Sequence, residues 1–270
     1  MSFPEVHEAD APPEVAAIYA GLREAVGVPL VNLIWRHFAA LPGGGVLPWA
    51  WETIRPVARA AALAEATTRM EAAVAALAGS GAVGAFPAAT GGAAVVVEIY
   101  NRGNCANLQL LTALRRALAD ETGVGAGAPL PAGPPPPTLP PVPAMPRLET
   151  LDPATRAAVQ SLAALHGAEG ATVVPSLYRH LALWPDLLPP LHAALAPLVH
   201  AGMIARGREA LMAEARATAD RLLPALRPPP GALPAEQRPA VIAALDAFAG
   251  RLIAEMGTVG LLLRARAVAR

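Results

Sequence analysis

One short segment occurs twice in this chain, 143 residues apart, and a duplication limits the fold more than any other feature of a sequence. Gly27–Pro42 reads GVPLVNLIWRHFAALP and Gly170–Pro185 reads GATVVPSLYRHLALWP. Six of the 16 positions are identical, where chance gives about one. Upstream, Pro12–Ala25 matches Thr155–Ala168 as a helix of the same length. Between the copies lies Gly123–Pro146, with the run Pro134–Pro137 and further prolines at 140, 141, 143 and 146. Such a segment cannot be helix and reads as an extended polyproline linker. The chain therefore divides into helical repeat 1 (residues 1–122), a proline-rich linker (123–147) and helical repeat 2 (148–270).

Outside the linker the sequence is dominated by Ala, Leu and Arg, all good helix formers, so an all-α fold is expected. Helices are predicted near 12–25, 30–40, 46–56, 57–78 and 98–119, and again near 153–166, 175–184, 187–200, 203–226 and 236–268. The best strand candidate is Ala93–Val97, which runs straight into Glu98-Ile99-Tyr100. Two related helical units in one chain pack as an intramolecular pseudo-dimer about an approximate twofold axis. The seam between them is the default place for a pocket.

Composition narrows the function. The 270 residues carry 21 Arg, no Lys and 21 acids, with 16% charged and 54% apolar residues. Sparse, balanced charge argues against nucleic-acid binding, which shows a basic stripe. The single cysteine, Cys105, excludes an internal disulfide and reads as a small core residue. No metal-ligand spacing and no nucleotide motif is present, so neither metal nor organic cofactor is expected. The uncharged stretch 72–97 holds several glycines and is mostly Ala, unlike a spanning helix. A cytoplasmic protein without a membrane partner is expected, with a homo-oligomer left open.

The strings Val28–His37 (VPLVNLIWRH), Trp49-Ala50-Trp51, Tyr100–Asn104 (YNRGN) and Ser176–Ala182 (SLYRHLA) resemble the group I 2-haloacid dehalogenases. The resemblance spans nearly the whole chain apart from the linker. It implies an all-helical pseudo-dimer with its active site between two tandem repeats. It also implies hydrolysis of the carbon–halogen bond of small 2-halocarboxylic acids, by water that an Asp activates, without a covalent intermediate. On this likeness Trp35, Phe38, Ser176 and Tyr178, with Asn104 or Asn107, contact the substrate.

The resemblance places the base near the start of the helix corresponding to Pro175–Leu183, yet no acid lies in Pro175–Pro185. Asp186 follows at once and reads as a general base or as an ordinary helix cap. Glu65, set among Ala and Leu, is a second base candidate, because burial in such a segment raises a carboxyl pKa. Glu255 has similar neighbours. Trp35 and Phe38 stand one turn apart on an apolar helix, which suits core packing as well as a pocket wall. If Leu177 or Tyr178 has replaced the base, the chain is a homologue that binds a carboxylic acid or does other chemistry. A helical module with a solidly packed seam is the third reading.

Overall fold

A computed structural model describes residues 3–79, 86–119, 123–167, 174–231 and 233–268. Residues 170–173 of the second copy and 120–122 at the expected repeat boundary lie outside them. The first half contains α1 (Pro13–Val26), α2 (Leu33–Ala40), α3 (Val46–Ile54), α4 (Ala61–Gly79) and α5 (Gly91–Leu118). The second contains α6 (Pro153–Ala164), α7 (Ser176–Leu181), α8 (Leu188–His200), α9 (Met203–Leu222), α10 (Arg238–Ala247) and α11 (Ile253–Val268). A five-residue π segment, Phe248–Leu252, joins α10 to α11 where one unbroken helix was expected. The only β-type pairing among the described residues is an isolated antiparallel bridge, Ala60 to Ala132.

Helix ends follow local chemistry. Pro13 opens α1, and Gly27 ends it in the left-handed region at φ 70°, its N–H bonded to the Arg23 carbonyl. Asp152 caps α6, accepting from the backbone N–H groups of Ala154 and Thr155 at 3.0 Å each. The strand candidate Ala93–Val97 is instead the second turn of α5. Gly91 and Gly92 start that helix, and Val96 and Val97 are buried, so packing overrides the β preference of three consecutive valines.

Four helices, α4, α5, α9 and α11, pack against one another as a central bundle drawn equally from both halves. Asn101 on α5 donates to the Gly260 carbonyl of α11 at 3.1 Å, and any side chain at Gly260 would collide with it. The shorter helices pack reciprocally: α2 against α10, α7 against α5, α1 on α3 and α6 on α8. One hydrophobic cluster runs through both halves. No single helix among the described residues is long and apolar enough to cross a membrane.

The proline-rich segment is no free spacer. Residues 124, 127, 130, 133, 136, 139, 142 and 145 are half-buried while nearly all between them are exposed. That period of three is the period of the polyproline II helix. Main-chain bonds tie the ribbon to both halves. Ala61 N–H donates to the Pro131 carbonyl at 3.0 Å, Gly133 N–H to Arg59 at 2.7 Å and Gly127 N–H to Pro224 at 2.8 Å.

Candidate functional site

The duplicated Arg-His pairs hold two extended straps. In the first half His37 Nδ1 meets the Pro4 carbonyl at 2.8 Å, and Arg36 Nε lies 2.7 Å from Glu5. In the second, His180 Nε2 meets the Pro143 carbonyl at 2.8 Å and Arg179 donates to the Pro146 carbonyl at 3.3 Å. The straps border a cavity of about 570 Å³ between the halves, residues 7–10 from one and 141–145 with Arg147 from the other. The N-terminal ends of α2 and α7 face into it, with the middle of α5, the π segment and the start of α11.

Its buried walls are largely apolar: Val31 just before α2 and Ile34 within it, Leu177 from α7, Phe248 from the π segment, Ile253 and Met256 from α11. A π segment at a cavity wall is a recurrent arrangement at binding sites. Polar groups are few and specific. Tyr100 and Asn104 stand one turn apart on α5, so both reach the cavity. The Asn104 side chain accepts a long hydrogen bond from Asn32 Nδ2 at 3.4 Å. Its own amide nitrogen, in a residue only 6% exposed, has no hydrogen-bond partner. A buried unpaired donor is costly, so a ligand acceptor is its natural complement.

Beside it, α2 begins without a side-chain cap, because Asn32 is turned toward Asn104. The first-turn N–H groups of a helix lack intrahelical partners and carry partial positive charge. His180 is neutral by preference, its pKa lowered by burial against the opposing hydrogen bond to Pro143. The tautomer with Nε2–H donates to Pro143 and leaves Nδ1 to accept from Tyr100 Oη at 3.4 Å.

Asn104 and Ser176 are therefore the expected site residues that line the cavity. Trp35, Phe38, Asn107 and Tyr178 do not. Trp35 Nε1–H donates to Asn107 Oδ1 at 2.5 Å, Asn107 donates onward to the Gly103 carbonyl, and Phe38 meets the indole edge-on. All four are buried, and Tyr178 bonds His166 at 2.7 Å. The base candidates are also displaced. Asp186 is exposed in a single 3-10 turn, Pro185–Leu187, outside the cavity. Glu65 is exposed on α4 and pairs with Arg221 at 2.8 Å. The segment around Glu65 is apolar in composition, but this position faces solvent. Glu255 is buried but turned from the cavity toward His166, Arg208 and Arg251. Cys105 is a core residue, its thiol pushed up to about 12 by burial.

Sequence reasoning missed Glu8 and Asp10, the carboxylates that do line the cavity among the described residues. Both oxygens of Glu8 are engaged: Oε1 accepts from Val31 N–H at 2.8 Å, and Oε2 meets Arg23 at 2.5 Å. Asp10 is exposed at the mouth. No local pattern marks these two, since the N-terminal strap acquires its place only when His37 and Tyr19 hold it.

No protein-family model matches the chain, and no curated protein matches it significantly. Solved structures do. Three D-2-haloacid dehalogenase structures each cover 98% of this chain and 96% of their own, at 21% identity. They are a mutant in complex with D-2-CPA (TM-score 0.79), a mutant crystal structure (0.81) and a complex with L-LA (0.80). The likeness shows a shared all-α, dehalogenase-like fold.

Proposed function

We propose that this chain binds a carboxylic acid in the cavity between its halves, and that it does not hydrolyse 2-haloacids. The unpartnered amide nitrogen of Asn104 beside the uncapped start of α2 carries the first part. A carboxylate oxygen satisfies that donor and the first-turn N–H groups together, and the positive end of the helix dipole favours its charge. Arg36, buried at the same wall, adds positive potential that Glu5 partly offsets.

The second part follows from what the start of α7 lacks. Pro175-Ser176-Leu177 presents a hydroxyl and an apolar side chain, and no carboxylate. Attack of water on a carbon–halogen bond needs a base within hydrogen-bond reach of that water. A base must also be free to take the proton. Both carboxylate oxygens of Glu8 are already engaged, one by the Val31 N–H and the other by Arg23.

Hydrolytic dehalogenation of a 2-halocarboxylic acid is the second reading, and Glu8 and Asp10 at the cavity favour it. Halide release from each enantiomer of 2-chloropropionate separates the two. Binding without turnover is expected from the wild type. Catalytic release of chloride that Glu8→Gln or Asp10→Asn abolishes would establish the second reading instead.

A further inference from the structure

We infer that the acid this cavity takes carries a long apolar body, on the order of an octanoate or an arylalkanoate, and is not a two- or three-carbon acid. The inference rests on the carboxylate reading above and deepens it.

Size is the first observation. The cavity measures about 570 Å³, whereas a three-carbon acid, with five heavy atoms, takes the space of about five waters, roughly 150 Å³. At about 30 Å³ for each water-sized group, filling even half of the cavity takes about ten heavy atoms. Chemistry is the second. Away from Asn104, Arg36, Tyr100 and His180, the buried walls are Val31, Ile34, Leu177, Phe248, Ile253 and Met256, whose side chains offer no polar partner to solvent or to a hydroxylated ligand. Water left there would be poorly held, and an alkyl or aryl body that displaces it gains binding energy.

Polarity is the third. Asp10 and Arg147 stand at the exposed rim, whereas Arg36 and the unpaired donor of Asn104 lie at the buried end. A ligand with its carboxylate at Asn104 and its body along the apolar walls meets this gradient. On the ribbon, Val142 is half-buried and turned toward the cavity, so it marks the wall that a body of this length reaches.

The test is isothermal titration of the whole protein with propionate, hexanoate, octanoate and decanoate below its micelle concentration, and with octanol as the uncharged match. Affinity should rise about three- to fourfold for each added methylene, from the transfer value of a CH₂ group. Octanol should bind at least tenfold more weakly than octanoate. Val142→Trp, which fills the cavity from the half-buried ribbon, should cancel the gain from hexanoate to octanoate and leave propionate unchanged. Equal affinity from propionate to decanoate would overturn this inference and leave the carboxylate reading standing. A gain with length that Val142→Trp does not touch would place the chain elsewhere on the surface and overturn it as well. Binding of no acid at any length, or of octanol as tightly as octanoate, would remove the carboxylate reading itself.

Discussion

The short helices α2 and α7 occupy matched places in the duplication, yet each is pinned to the long helix of its own half by different chemistry. Trp35 of α2 donates to Asn107 of α5 at 2.5 Å, a bond between two uncharged groups. At the matched position Tyr178 of α7 meets His166 Nε2 at 2.7 Å, His166 Nδ1 meets Glu255 of α11 at 3.0 Å, and Arg251 and Arg208 close on Glu255 at 3.0 and 3.3 Å. The tautomer with the proton on Nδ1 donates to Glu255 and accepts from Tyr178. Both pins are built from aromatics that sequence likeness assigns to substrate contact. Their common task is to hold a helix whose N-terminal end faces the cavity. The difference is that the second pin titrates and the first does not.

Breaking the ionic pin should cost most. Glu255 is 5% exposed and supports three cations or donors, so Glu255→Ala should lower unfolding stability in urea by about 3 kcal/mol. Trp35→Phe should cost about 2 kcal/mol, because it leaves the buried Asn107 carbonyl oxygen without its donor. Adding Asn107→Leu to Trp35→Phe should then recover part of that loss. A double variant less stable than Trp35→Phe alone would show that the polar pin is not what the pair provides.

Acidity should separate the halves. Burial raises the Glu255 pKa, but bonds from His166 and Arg251 outweigh it and leave the pKa below its ordinary value of 4.5. The unfolded state thus takes up the proton first, so stability is full above about 4.5 and falls as pH drops through the lowered value. His180, whose pKa burial lowers from 6.5, acts in a higher window. There the unfolded state protonates first below about 6.5, and stability declines from that pH downward to the folded value. Glu255→Gln should flatten the lower slope of the pH–stability curve and leave the upper one. The smallest effects belong to the displaced base candidates. Asp186→Asn and Glu65→Gln, both exposed, should change stability by no more than about 0.5 kcal/mol and leave acid binding as it is.

The fold was legible where one residue type served one purpose. Helix formers, boundary prolines and the repeated Arg-His pair gave the helix order, and Pro42 follows closely on the end of α2, whereas α7 already stops at Leu181 and Pro185 opens the next 3-10 turn. Proline content shows the linker to be extended but not that it docks, although Val124, Leu130, Leu139, Val142 and Met145 stand at multiples of three along it. The site was less legible. Asn104, which the family likeness offers as a substrate contact, does line the cavity. The same likeness offers Trp35, Tyr178 and Asn107, but their polar atoms are satisfied inside the protein, which depends on partners such as His166 that spacing does not identify. Glu65 looked buried because its neighbours are apolar, whereas helix phase turns it to solvent.

The unpaired donor of Asn104 decides between a carboxylate site and a merely packed seam. Titrating octanoate into wild type and Asn104→Leu, with thermal unfolding of both as a check on folding, measures it directly. A hydrogen bond to a charged group contributes about 1.5–3 kcal/mol, so binding should weaken at least tenfold in Asn104→Leu while the variant stays folded. Octanoate bound equally tightly by both proteins would contradict the assignment of the cavity as a carboxylate site.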